Sequence, residues 1–126
     1  MTLLKALVAL ALVALIGGMP VARAAGFEED IEAIAALREA GADLTQPILL
    51  EFIFHFDTRE DARKMWRALS GDGFKAQVSP GGSTPGVLVF ARKSMLVEEA
   101  GIARLRERLE QQARQYNGVY EGWGAP

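Results

Sequence analysis

The ten residues "ILLEFIFHFD" at positions 48–57 constrain the fold more than any other stretch of the chain. Ile48, Leu50, Phe52, Phe54 and Phe56 alternate there with Leu49, Glu51, Ile53, His55 and Asp57. Successive side chains of a strand point to opposite faces, so the run predicts a strand with one wholly apolar face and one mixed face. The apolar face demands a covering layer. The mixed face is expected to meet solvent or a partner.

The residues that follow predict that layer. Asp57, with Glu60 three residues on, reads as a capping box that satisfies the free N–H groups of a helix start. Ala62, Met65, Trp66 and Leu69 then recur on one helical face, and Gly71 or Gly73 ends it. Phe74, Ala76 and Val78 alternate in a second strand, and "SPGGSTPG" is too rich in glycine and proline for anything but a turn. Val87 to Arg92 form a third strand, apolar through its centre and therefore expected inside the sheet. A last helix from Val97 to Tyr116 sets Ile102, Leu105, Leu109, Ala113 and Tyr116 on its packed side. Arg104, Arg106, Glu107, Arg108, Glu110 and Arg114 are expected on a solvated face. Asn117-Gly118 stops that helix, leaving Val119 to Trp123 as a short final strand.

Upstream, Ile31, Ile34, Ala35 and Leu37 have the spacing of one helical face, with Gly41 as a C-terminal cap. Glu28, Glu29 and Asp30 would open this helix and suit its positive dipole end. After that extra N-terminal helix the order is βαββαβ. Such an order predicts an α+β fold, a ferredoxin-like sandwich with helices on one face of an antiparallel sheet.

The first two dozen residues differ in character. Lys5 precedes a continuous apolar run from Ala6 to Ile16, then Gly17, Gly18 and Pro20, then the small-residue site Ala22-Arg23-Ala24. This is the pattern of a secretory signal peptide with cleavage after Ala24, so residues 1–24 are assigned to it and 25–126 to one domain. The apolar run is shorter than the roughly 20 residues a spanning helix needs, although an uncleaved anchor is the rival reading. An exported product, periplasmic or secreted, is expected, with no membrane contact after cleavage.

Loss of Lys5 and Arg23 leaves 12 basic against 16 acidic side chains, a net charge of −4. Nucleic acid is not expected as a direct partner, because affinity for it comes largely from neutralising phosphates. The chain has no cysteine, so export brings no disulfide, thiol nucleophile or thiolate metal site. Its single histidine, His55, shares the mixed strand face with Glu51 and Asp57. A small enzyme using His55 with Glu51 is conceivable on those residues, but proton transfer needs more groups to converge than one strand pair supplies. His55 also lacks a second histidine or cysteine with which to hold a cation. No cofactor or metal is expected. Gly71-Asp72-Gly73 and Gly81-Gly82 match no phosphate-binding fingerprint and read as turns.

"LREAGADLTQP", "LEFIFHFDTREDARKMWRAL", "DGFKAQVSP" and "YNGVYEGWGAP" together resemble the RraB family, regulators of ribonuclease E activity. The resemblance spans Phe27 to Pro126. Its most specific piece is the ending, with Tyr120, Glu121, Gly122, Trp123 and Gly124 in order. It implies a ferredoxin-like fold and a small acidic inhibitor that binds the scaffold region of ribonuclease E without catalysis of its own. Ribonuclease E works in the cytoplasm, so the signal peptide conflicts with that partner, and this chain is also less acidic than the resemblance leads one to expect. A protein partner is therefore expected, ribonuclease E by resemblance only, and a cytoplasmic regulator started at Met19 is the alternative. Glu51, His55, Tyr120 and Trp123 are the candidate partner-binding residues. For Tyr120 and Trp123 two readings compete, an exposed aromatic platform and a lid that closes the core; the second is favoured because a small domain needs the apolar burial.

Overall fold

A computed structural model of the chain describes residues 22–82 and 85–126, with side chains from Gly26 onward. The expected signal peptide lies outside the described residues up to position 21. Three helices and four strands follow in the order α1 (Ala22–Glu39), β1 (Ile48–Phe56), α2 (Arg59–Gly71), β2 (Lys75–Pro80), β3 (Val87–Met95), α3 (Glu99–Gln115) and β4 (Gly118–Gly124). The sheet runs β2-β3-β1-β4, with every neighbouring pair antiparallel. This is the ferredoxin-like arrangement with one helix added at its N-terminal side.

Each element follows from its local chemistry. In β1 the even-numbered residues Leu50, Phe52, Phe54 and Phe56 are fully buried against the helices. Burial of each such side chain is worth roughly 1.5–3 kcal/mol. Helix α2 covers β2 and β3 and touches β1, α3 covers β4, and α1 packs beside α3. Ala62, Met65 and Leu69 of α2 and Ile102, Leu109 and Ala113 of α3 complete one core with Val89, Ala91 and Ile34. Beta-strand β3 is interior, as its apolar centre predicts. Gly118 opens β4 at a point where a Cβ would collide with the Phe56 ring, so only glycine lets the edge strand approach β1 there.

Four local expectations are corrected. The cap of α2 is Thr58, whose Oγ1 accepts from the Asp61 N–H at 3.2 Å, one residue later than the Asp57–Glu60 box. Trp66 is 39 % exposed and does not join the buried face. Its indole Nε1–H instead donates to the Ala76 carbonyl at 2.9 Å and ties α2 to the sheet edge. Among the described residues helix α1 already runs from Ala22, so Glu28, Glu29 and Asp30 sit within it and not in its first turn. The last correction is Arg106, which is buried at 7 % exposure and not solvated.

Candidate functional site

The sheet face opposite the helices can be read as rows across the four strands, because register partners in an antiparallel sheet share a face. One row holds Val119, His55, Leu88 and Ser79; the next Gly122, Ile53, Phe90 and Gln77; the third Gly124, Glu51, Arg92 and Lys75. No described helix packs on this face. It is not uniformly wet, however. Leu49 and Val119 are exposed at its margins, while Ile53 and Glu51 in the centre are each only 3 % exposed.

Both polar candidates on this face are engaged. Arg92 Nε–H donates to Glu51 Oε2 at 2.7 Å and lays its half-exposed side chain over the carboxylate. Glu51 Oε1 is buried with no partner among the described residues. His55 Nε2–H donates to the Pro85 carbonyl at 2.6 Å, which places its proton on Nε2. A Cβ on Gly86 would stand 2.7 Å from that nitrogen and 2.5 Å from the Phe56 carbonyl, and the residue has φ of 100°. The histidine thus fastens the β2–β3 connection to β1. Its role here is that of a structural hydrogen-bond donor.

Tyr120 and Trp123 lie on the other face, behind the sheet. A β-bulge between Ile53 and Phe54 leaves Glu121 unpaired and turns Tyr120 and Trp123 both toward the helices. The Tyr120 ring packs on Phe54 with centroids 5.5 Å apart. Trp123 Nε1–H donates to Asp30 Oδ1 at 3.0 Å, while Arg106 Nε–H donates to Asp30 Oδ2 at 2.7 Å. Arg106 Nη1 also reaches Glu110 Oε1 at 3.3 Å. One buried carboxylate therefore joins α1, α3 and β4. The four candidate partner-binding residues do not form one patch: Glu51 and His55 share the helix-free face, and Tyr120 and Trp123 the packed one.

Electrostatics mark this node as the most perturbed part of the fold. Burial, together with Asp30, Glu32 and Glu110, raises the Glu29 carboxyl from 4.5 to about 7 against the pull of Arg106. Burial also raises Asp30, which the hydrogen bonds from Arg106 and Trp123 oppose. Desolvation works against the Arg106 charge, but the bound Asp30 carboxylate outweighs it and holds the guanidinium more firmly protonated. Burial first, then the Asp30 and Glu110 charges, push the Tyr120 phenol well above its ordinary value. The hydroxyl has no hydrogen-bond partner among the described residues.

Sequence reasoning missed Asp30 and Arg106. A signal was present for both, since Arg106 falls on the stripe Ile102, Leu109 and Ala113 and Asp30 stands four residues before Ile34 and seven before Leu37, each at helical spacing. Their pairing had no such mark, because the partners of Asp30 lie 76 and 93 residues away. Among the described residues no group of three or more histidines, cysteines or carboxylates could hold a metal ion. No described helix is long and apolar enough to cross a membrane.

The architecture defines a ferredoxin-like α+β domain whose conspicuous polar groups bind one another across elements. The family model described as regulator of ribonuclease activity B matches residues 27–125, and the chain belongs to that RraB family, a regulatory one. No curated protein sequence matches the chain.

Proposed function

We propose that this protein is a non-catalytic regulatory module that acts by binding another protein, and that it does so after export. The observation that carries the reading is the family match over residues 27–125. Two features of the site support it. His55, the only histidine, spends its proton on a backbone carbonyl, and Glu51 is held by Arg92. Each is committed to a structural bond and the two do not meet each other, so among the described residues they form no paired acid and base of the kind proton-transfer catalysis uses.

Export is the finer part of the proposal and rests on the sequence of residues 1–24. In that case the partner is a protein of the periplasm or exterior, and the contact is made by the sheet face that carries Glu51 and His55, with Tyr120 and Trp123 supporting it from behind. A reporter enzyme active only outside the cytoplasm, fused after Phe27, tests the location. Activity there, with capture of a protein from periplasmic extract, is the expected result. A silent fusion, with ribonuclease E recovered from cytosol, would instead assign ordinary nuclease regulation and a start at Met19.

A further inference from the structure

Helix α2 carries Arg59, Arg63 and Arg67 at four-residue spacing on its exposed side, with Lys64 beside them. With Glu60 they line an open depression of about 340 Å³. Lys64 lies 3.8 Å from Asp61, but the three arginines enter no ion pair among the described residues. Trp66, exposed by more than a third, adjoins the stripe, its ring fixed by the bond to Ala76. An aromatic beside unneutralised guanidinium groups is a surface prepared for carboxylates and for a flat apolar contact.

The complementary surface is on the same molecule. On α1, Glu28 and Glu32 are exposed, four residues apart, and likewise enter no ion pair among the described residues. Phe27 beside them is 41 % exposed. Four residues of helix rise roughly 6 Å, so the carboxylate pair repeats along α1 at the spacing of the guanidinium groups along α2. The half-buried Glu29 between them is already crowded by Asp30, Glu32 and Glu110. Among the described residues the basic group beside this patch is the buried Arg106, which Asp30 and Glu110 already engage.

One copy cannot bring the two patches together. Helix α2 covers the β2 side of the sheet and α3 the β4 side, with α1 beside α3. We propose that the basic face of α2, Arg59, Arg63 and Arg67 with Trp66, docks the acidic face of α1, Glu28 and Glu32 with Phe27, of a second copy of this chain. The contact is head-to-tail and leaves one patch of each kind free at the ends, so it closes into rings or extends into short chains. Exposed ion pairs are individually weak and screened by salt. The association is therefore weak, with Kd on the order of 1 mM at low ionic strength, and is lost at high salt.

Sedimentation velocity and small-angle scattering on the protein, purified as its host processes it, test this across a concentration series at low and high salt. The expected result is a mass that grows with concentration only at low salt. R63E/R67E makes both patches acidic and E28R/E32R makes both basic; each alone should weaken association at least tenfold, and mixing the two should restore it. All four positions are exposed, and unchanged melting of each variant confirms that folding is intact. A wild-type chain that stays monomeric at millimolar concentration in low salt would overturn the proposal. So would a mixture of the two variants that fails to associate, or loss of association in R63E/R67E with none in E28R/E32R. The last result, or binding of a single-stranded homopolymer to wild type but not R63E/R67E without self-association, would give the α2 face to another occupant.

Discussion

Replacing Asp30 with alanine should destabilise the fold more than any other single polar substitution. The carboxylate accepts the Arg106 Nε–H at 2.7 Å and the Trp123 Nε1–H at 3.0 Å, and both partners are buried. Its removal leaves a guanidinium with only Glu110 at 3.3 Å, on a side chain still one-third exposed, and an indole N–H with nothing. Breaking a buried ion pair by deleting one partner costs about 3–5 kcal/mol, because the surviving charge stays desolvated and uncompensated. For a domain of this size the urea slope is about 1–2 kcal/mol per M, so the midpoint should fall by roughly 1.5–5 M. Asp30→Leu combined with Arg106→Met removes both charges and keeps the apolar volume. That double variant should recover most of the loss, and the cycle gives a large coupling energy. Equilibrium urea unfolding followed by tryptophan fluorescence is the assay, with Trp123 itself reporting on the node. A loss below about 1 kcal/mol for Asp30→Ala, or additive single effects, would refute the claim that this carboxylate clamps three elements together.

Three further outcomes are expected. The Glu29 carboxyl sits at about 7 in the fold against an ordinary 4.5, so the folded state holds the extra proton and its benefit is full below 4.5. That stability declines as pH rises through 7; discounted for partial exposure it is on the order of 1 kcal/mol, and E29Q should flatten the pH dependence of melting across this window. Gly118→Ala drives a methyl group into the Phe56 ring and should cost about 1–3 kcal/mol; thermal melting within 1 °C of wild type would contradict the close approach of β4. His55→Ala removes the bond to the Pro85 carbonyl and should cost about 1 kcal/mol, measured by calorimetry, with the β2–β3 connection showing faster hydrogen exchange and the rest of the sheet unchanged.

Most of the element order was legible because it rests on short-range rules. The alternation in β1, the interior character of β3 and the buried stripes Ala62, Met65, Leu69 and Ile102, Leu109, Ala113 are all patterns of period two or 3.6. Errors fell where two local choices were nearly equal. Asp57 and Thr58 are both good caps, and Thr58 takes the position, with an extended backbone at φ of −126° and its Oγ1 accepting from the Asp61 N–H. Trp66 has a helical position at the border of the packed face, and a free carbonyl on edge strand β2 drew it outward.

The candidate site was legible only in part. That His55 and Glu51 share a strand face is a consequence of spacing, and the order of strands in the final sheet follows from the βαββαβ succession. What each polar group touches is not. Glu51 meets Arg92 41 residues on, His55 meets Pro85 30 residues on, and the Asp30 node joins residues from opposite ends of the domain. By itself the sequence determined periodicity, punctuation and family, because those are written in neighbours a few positions apart. Tertiary structure alone decided which charges pair. Helical spacing sets Arg106 on the packed stripe, but nothing nearby in the sequence names the carboxylate that meets it, and only folding brings the two within hydrogen-bond reach.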